Sequence, residues 1–198
     1  MKHFATDDVE VFSYQRTKVG NELCGDDYFY LSTDDYFICV LADGLGSGGN
    51  AKDSATAVVQ IVEQYHDEDV GTIMERCNAV LVEKRGAAVA VFKVYFSKKE
   101  FVYSCVGNIR FFLYSSSGKL TYPLPVTGYL SGKPQRFRTQ NYPYEQNSTF
   151  LIYSDGFHFN GLKGMLDSVR PLRTIAEDIK NRPLLSADDA TFIIGSLY

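Results

Sequence analysis

Aspartates recur at the ends of apolar runs in this sequence. Four segments show this arrangement: Cys24-Gly25-Asp26-Asp27, Ala42-Asp43-Gly44, Ser154-Asp155-Gly156 and Asp188-Asp189-Ala190-Thr191. A strand delivers such a side chain to the rim of a sheet, and carboxylates that share one rim repel each other unless divalent cations lie among them. Two cations about 4 Å apart can activate a water molecule and clamp a phosphoryl group. The pattern therefore predicts a metal centre for phosphoryl chemistry.

Each of these segments has a simpler interpretation as a turn, because Asp and Gly are favoured turn residues and Asp also caps helices. Two Asp-Gly pairs, Asp43-Gly44 and Asp155-Gly156, follow runs that predict buried strands, and this shared context favours a metal site. A glycine after the aspartate also lets the backbone approach an ion, so that the glycine carbonyl can serve as an oxygen ligand.

A dinucleotide-binding enzyme is an alternative. Gly44, Gly46 and Gly49 match the spacing of the dinucleotide fingerprint between a predicted strand and a predicted helix. Glu63 follows about 20 positions later, as that fingerprint expects. Against it, Asp43 would repel the pyrophosphate, two predicted strands precede this one, and the later chain does not repeat a βαβ unit.

Nucleophilic catalysis is a further alternative with little support. None of the three histidines, His3, His66 and His158, neighbours a serine in a nucleophile-elbow pattern. His158 follows Asp155-Gly156 closely enough to approach the site, but a loop histidine without a catalytic role is the simpler expectation. The four cysteines lie in apolar surroundings, which favours inert packing.

Composition excludes several classes of protein. The 198 residues carry a formal net charge of −4 and contain no basic stretch, so no nucleic-acid partner is expected. No run approaches 18 consecutive apolar residues, so we expect no membrane span. The cysteines form no C-x-x-C pair and no secretory signal precedes them, which predicts reduced thiols in a cytoplasmic protein. Without linkers or repeats, we expect one domain over residues 1–198 and a monomer.

The hydrophobic pattern predicts strands first, then two helices, more strands, further helices and a closing strand. The predicted strands cover residues 9–14, 28–32, 36–42, 87–96, 100–106, 110–115, 149–153 and 190–197. The predicted helices cover residues 50–66 and 69–83, with two short helices within 161–180, and residues 120–144 are expected to form loops and short strands. This order predicts an α+β fold, a layered α-β-β-α sandwich of two mainly antiparallel sheets flanked by helices.

At this point the motifs GDD, ADGLGSG, RGAA, SCVGNIR, YSDG and DDATFIIG resemble the metal-dependent protein phosphatase family, also called type 2C. They are most similar to its compact bacterial branch, which acts in partner-switching stress signalling. The resemblance extends from about Cys24 to Gly195. The order and spacing of the motifs together are more specific than any single motif. The fold it implies, a β-sandwich with helices on both sides, agrees with the predicted order of elements.

The resemblance implies a serine/threonine phosphatase with two divalent cations, manganese or else magnesium. Asp43 would bridge the cations, Asp155 and Asp188 would complete the first metal site, and the Gly44 carbonyl would help to hold the second. Asp26 would orient bound water and act in proton transfer. Metal-activated water would attack the phosphoserine or phosphothreonine directly. The implied substrates are phosphorylated stressosome scaffold proteins of the RsbS and RsbR type, in negative feedback on the general stress sigma-factor pathway.

Three departures from the family pattern carry consequences. Many members have an acidic residue where this chain has Gly25, which keeps open a non-catalytic phosphoprotein-binding module on the same fold. Many eukaryotic members hold phosphate with an upstream arginine that is absent here. Arg110 is retained from the family's GDSR motif, and we expect it to have a packing role. The segment Leu124–Pro134 is a candidate for substrate recognition, with a plain surface loop as the equal alternative.

Overall fold

Eleven strands and four helices make up the computed structural model, which describes residues 1–159, 161–166, 170–182 and 188–198. The strands are β1 (Lys2–Ala5), β2 (Val9–Arg16), β3 (Asp26–Ser32), β4 (Tyr36–Gly44), β5 (Ala87–Tyr95), β6 (Glu100–Val106), β7 (Arg110–Tyr114), β8 (Leu120–Thr121), β9 (Gln140–Pro143), β10 (Ser148–Tyr153) and β11 (Ala190–Leu197). The helices are α1 (Gly49–Gln64), α2 (Val70–Ala79), α3 (Leu162–Leu166) and α4 (Leu172–Lys180).

The strands form two antiparallel sheets. The first has the order β1-β2-β11-β10-β7-β8 and the second the order β3-β4-β5-β6-β9. Phe92 of the second sheet packs against Phe150 of the first with ring centroids 5.0 Å apart, within a buried cluster that joins the two inner faces. Two further clusters join the outer face of the second sheet to α1 and α2, and the outer face of the first sheet to α3 and α4. The predicted α-β-β-α sandwich is therefore confirmed.

The alternation of side chains explains the continuous apolar run in β4. Phe37, Cys39 and Leu41 point into the core between the sheets, whereas Ile38 and Val40 point towards the helices. A strand that is buried on both faces needs apolar residues at every position. Among the described residues, no helix has the length and apolar character needed to cross a membrane.

Most predicted elements agree with the structure, and the differences have physical causes. Asp69 caps α2 as predicted, because its carboxylate accepts a hydrogen bond from the Thr72 backbone N–H at 3.0 Å. This helix ends at Ala79 and continues as turns, so the prediction of a helix to residue 83 was too long. Strand β1 was missed, because it is a short edge strand whose residues are mostly exposed and show no apolar alternation.

Helix α1 packs very closely on the end of β4. A Cβ atom at Gly44 would lie only 1.9 Å from the Ala51 carbonyl oxygen of this helix, so only glycine fits. The contact is reinforced at the start of β3, where Lys52 Nζ lies 3.0 Å from Asp27 Oδ2 and Thr56 donates to the same oxygen at 2.7 Å. Gly44 is therefore required by packing, whatever its carbonyl binds.

We expect Gly44→Ala to lower the free energy of unfolding by about 3 kcal/mol, because the methyl group must displace helix backbone. Urea denaturation in EDTA measures this effect apart from metal binding. Gly49→Ala is a matched control, since its Cβ would meet no atom within 4 Å, and it should change stability by no more than about 1 kcal/mol. Equal losses in the two variants would contradict the packing role of Gly44.

Candidate metal centre

Asp26 and Asp43 are neighbours across the β3–β4 pair. Asp26 is directly opposite Asp43 in the register, and Asp43 is opposite Ala88 of β5 on its other side. Directly opposed residues on antiparallel strands project from the same face of the sheet. The hairpin therefore places two carboxylates side by side where the second sheet ends.

The other two aspartates come from the first sheet. Asp155 follows β10 and Asp188 precedes β11, and these two strands are paired with Tyr153 opposite Phe192. The two sheets meet at this end of the sandwich around a surface depression of about 150 Å³. It is lined by Asp43, Gly44, Leu45, Gly46, Ala88, Asn108, Asp155 and Asp188. The structure thus brings together the predicted residues Asp43, Gly44, Asp155 and Asp188.

Asp26 lies beneath this depression rather than in its lining. Its side chain is only 1% exposed, and its Oδ2 accepts a hydrogen bond from the Ser154 hydroxyl at 2.7 Å. The same Ser154 oxygen accepts from the Thr191 backbone N–H at 2.9 Å, so Asp26 is tied to both β10 and β11. Asp26 Oδ1 is buried and has no hydrogen-bond partner.

Burial makes these carboxyl groups hold their protons more strongly than usual. Burial, together with the charges of the neighbouring aspartates, raises the pKa of Asp43 to about 8. Burial also raises the pKa of Asp26 to about 6, although hydrogen bonds to its carboxylate act in the opposite direction. The pKa of Asp155 is raised by burial and by the charge of Asp188. Ionised carboxylates are therefore disfavoured in this cluster, although Lys18 Nζ lies 3.8 Å from Asp188 Oδ1 at its exposed side.

The residues of this cluster fit hard divalent cations. All the donors are oxygens, which Mg²⁺ and Mn²⁺ prefer, and the unpartnered Asp26 Oδ1 costs free energy until a cation or its water satisfies it. In the described part of the chain, no three Asp, Glu, His or Cys side chains already converge at ligand distances.

Comparison with known proteins identifies the family. The family model described as Stage II sporulation protein E (SpoIIE) matches residues 33–194, which is most of the chain. The chain belongs to the SpoIIE family. It is 41% identical over 189 residues to phosphoserine phosphatase RsbX of Bacillus subtilis (strain 168). The aligned residues cover 96% of this chain and 95% of that protein.

Solved structures share the fold of this chain. A crystal structure of RsbX in complex with magnesium matches with a TM-score of 0.94 at 39% identity, over 100% of this chain and 99% of that one. A protein solved in work on the bacterial stressosome matches with a TM-score of 0.86 at 23% identity, over 96% and 100% of the chains. The structure of the type 2C phosphatase domain of Bacillus subtilis SpoIIE matches with a TM-score of 0.79 at 13% identity, over 96% of this chain and 63% of that one.

The predicted membership of the metal-dependent, type 2C phosphatases is therefore confirmed, and the chain is a phosphatase of this type. The dinucleotide alternative is wrong, because β4 lies between two antiparallel partners and is not the opening strand of a βαβ unit. The cysteines are free and buried, and burial raises the pKa of Cys24, Cys77 and Cys105 to about 12, which disfavours a reactive thiolate.

In this SpoIIE-family member, the surroundings of Gly25 leave little room for a side chain. Asp189 is buried, and its two carboxylate oxygens accept hydrogen bonds from the backbone N–H groups of Lys18 and Gly25, each at 2.7 Å. A Cβ atom at Gly25 would lie 2.9 Å from Asp189 Oδ2, so a side chain here requires a shift. Asp189 fastens the segment before β3 to the start of β11, a role that the sequence analysis did not assign.

Two more residues at the depression were missed by sequence analysis. Asn108 Nδ2 donates a hydrogen bond to Asp155 Oδ2 at 2.7 Å and so orients that carboxylate. The Arg85 guanidinium lies over the glycine-rich turn, where a Cβ at Gly46 would come within 2.5 Å of Nη1. The only signal in the sequence was the position of each residue next to a glycine in a quoted motif.

We expect Ser154→Ala to shift the pH profile of turnover to higher pH. Without the Ser154 hydroxyl, the ionised form of Asp26 loses a hydrogen bond that stabilises it, so the pKa of Asp26 rises further. The variant should also lose about 1–3 kcal/mol of stability, because buried partners are left unpaired. Ser148→Ala, at the opposite end of β10, removes another buried serine hydroxyl and should lower stability without moving the profile. An unchanged profile in Ser154→Ala would refute the coupling to Asp26.

Proposed function

We propose that this chain is a protein phosphatase that hydrolyses phosphoserine and phosphothreonine with two divalent cations held at the aspartate depression. The observation that carries the proposal is the convergence of Asp43, Asp155 and Asp188 from two sheets on one rim, above a buried Asp26 with an unpartnered oxygen. The identity with phosphoserine phosphatase RsbX supports the same reaction.

The residues divide the work of holding the cations. Asp43 would bridge both, Asp155 and Asp188 would complete the first site, and the Gly44 carbonyl would help to hold the second, with Mn²⁺ or Mg²⁺ as the ion. When bound, the cations supply Lewis-acid polarisation of the phosphoryl group and activation of the attacking water. Asn108 keeps the Asp155 carboxylate oriented through its hydrogen bond, which limits the reorganisation needed on binding.

Asp26 would hold a proton next to the reaction. Its Oδ2 is occupied by the Ser154 hydroxyl, so Oδ1 is the atom free to accept a hydrogen bond from water and orient it. This buried carboxyl would therefore exchange a proton with that water during the reaction. The buried hydrogen bond from Ser154 holds its side chain, and Lys52 Nζ donates to its backbone carbonyl at 3.3 Å.

Phosphate release tests this proposal. A phosphoserine peptide and p-nitrophenyl phosphate would be incubated with EDTA and then with added manganese, magnesium or calcium. We expect release that requires manganese or magnesium and is absent in EDTA. A folded protein that releases no phosphate from either substrate or from an assembled phosphoprotein partner, with any of these metals, would overturn the proposal.

The alternative is a binding module that docks phosphoproteins without cleaving them, which the glycine at position 25 favours. It predicts stoichiometric binding of a phosphopeptide with no phosphate release at any metal concentration. The retention of Asp26, Asp43, Asp155 and Asp188 around one depression argues against it, because such a cluster is costly unless it binds cations.

The proposed substrates are phosphorylated stressosome scaffold proteins, on which the chain would act as a cytoplasmic monomer and provide negative feedback on a stress sigma-factor pathway. Segment 124–134 remains a candidate for recognising them. Leu130 pairs with Ala87 at the start of β5, next to Gly44, and Val126 pairs with Val106 at the end of β6. These ties place the segment beside the depression, with Leu124 and Tyr129 about half exposed.

A further inference from the structure

A second depression adjoins the one that the aspartates line. Its volume is about 220 Å³, and it is lined by Asn108, Arg110, Tyr153, Asp155, Phe157, His158 and Phe159. Asn108 and Asp155 line both depressions. A substrate whose phosphate lies over Asp43 would therefore have its neighbouring residues beside this second depression, which we call the Arg110 pocket.

Arg110 does not have the packing role expected from the sequence. It is the first residue of β7, opposite Tyr153 in the register, and its side chain is exposed. Its Nη1 donates a hydrogen bond to the Tyr122 hydroxyl, and the Tyr122 ring stacks on Phe112 with centroids 4.6 Å apart. The guanidinium is thus oriented at one corner while its other N–H donors remain available for an anion.

The rest of the Arg110 pocket is mainly aromatic. Tyr153 and Phe157 are almost fully buried, and Tyr153 meets Phe159 edge to face with centroids 4.7 Å apart, so the wall is rigid. His158 is exposed at the rim, and the Arg182 guanidinium lies over the Phe159 ring at 5.7 Å. Among the described residues that line the pocket, Asp155 is the one acidic residue, and the proposed cations would neutralise it.

We infer that the Arg110 pocket binds an acidic side chain of the substrate next to the phosphoserine, an inference that rests on the proposed phosphatase activity. The guanidinium of Arg110, oriented by Tyr122, would form charge-assisted hydrogen bonds with the Asp or Glu carboxylate. The aromatic wall would exclude water from one side of that contact, which strengthens it. The pocket therefore selects among phosphoserine sites by their flanking charge.

Two phosphoserine peptides that differ only in flanking Glu or flanking Gln test this selection. With manganese, we expect kcat/KM to be about tenfold higher for the Glu peptide, mainly through KM, as one charge-assisted hydrogen bond would give. Arg110→Gln should reduce this ratio to about one, and Arg110→Glu should favour a peptide with flanking Lys. Arg173→Gln on α4, which removes a guanidinium over the Phe12 ring, is the matched control and should keep the ratio.

Three results would overturn the inference. A ratio near one in the unmodified chain would mean that flanking charge is not selected, and an unchanged ratio in Arg110→Gln would mean that another residue selects it. An equal loss of kcat/KM in Arg110→Gln for both peptides and p-nitrophenyl phosphate would place Arg110 on the phosphoryl group itself. If no substrate is turned over, the phosphatase proposal fails separately, and fluorescence anisotropy with the same two peptides still decides whether the pocket prefers Glu.

Discussion

Asp43→Asn is expected to lower phosphatase turnover by about 1,000-fold or more. Asp43 lies opposite Asp26 in the β3–β4 register and lines the depression together with Asp155 and Asp188, and we propose that it contacts both cations. An amide has the same shape but no charge, and the loss of a bridging charge weakens both metal sites and the activation of water. Initial rates with p-nitrophenyl phosphate across a manganese titration measure the effect.

The control for this variant comes from the same hairpin. Asp34→Asn changes an exposed aspartate in the turn that joins β3 and β4, at the end of the strands remote from Asp43. It should retain the turnover of the unmodified chain at every metal concentration. Turnover in Asp43→Asn within a few fold of that of Asp34→Asn would show that Asp43 does not bridge the cations.

The second large effect concerns the stability of the metal-free protein, which should fall as the pH rises from about 5 to 8.5. The folded-state pKa values of Asp26 and Asp43 are raised to about 6 and about 8, above the usual value near 4 of an unfolded chain. Groups of this kind contribute stability below their unfolded pKa and lose it as the pH passes their folded pKa. The thermal midpoint in EDTA should therefore decrease through this range.

Divalent cations should reverse that loss. A cation that binds only the folded chain, at about 100 times its dissociation constant, adds about 2.7 kcal/mol, which is about 5–10 °C in the midpoint of a chain of this size. Asp43→Asn should flatten the dependence of the thermal midpoint on pH in EDTA at the higher pH values, and it should remove most of the rise in midpoint with metal. Asp34→Asn should do neither. A midpoint in EDTA that rises between pH 6 and 8.5 would contradict this assignment of the pKa shifts.

The layered fold could be predicted from sequence because its elements carry strong local signals. The doubly apolar run of β4 predicts a strand between two packed layers, and Asp69 marks the start of α2. Strand β1 could not be predicted, since an exposed edge strand pairs through its backbone and leaves no side-chain pattern. The end of α2 at Ala79 is decided by packing and turns that local propensity does not encode.

The aspartates of the site were predictable because each lies next to a strong strand signal. Their neighbours were not, because Asn108 and Asp189 act through contacts with residues 47 and 164 positions away in the chain. Arg110 was misjudged for the same reason, since its partner Tyr122 belongs to a segment without regular pattern. Sequence periodicity reports which face of an element is buried, but it does not report which polar groups meet at a rim.

The stoichiometry of Mn²⁺ binding tests the central claim, that these aspartates form a two-cation centre, most directly. Equilibrium dialysis, with electron paramagnetic resonance to detect coupling between the bound ions, would compare the unmodified chain with Asp43→Asn and Asp34→Asn. We predict two coupled ions per chain in the unmodified protein and in Asp34→Asn, and at most one weakly bound ion in Asp43→Asn. Two coupled ions retained in Asp43→Asn, or none bound by the unmodified folded chain, would contradict the account.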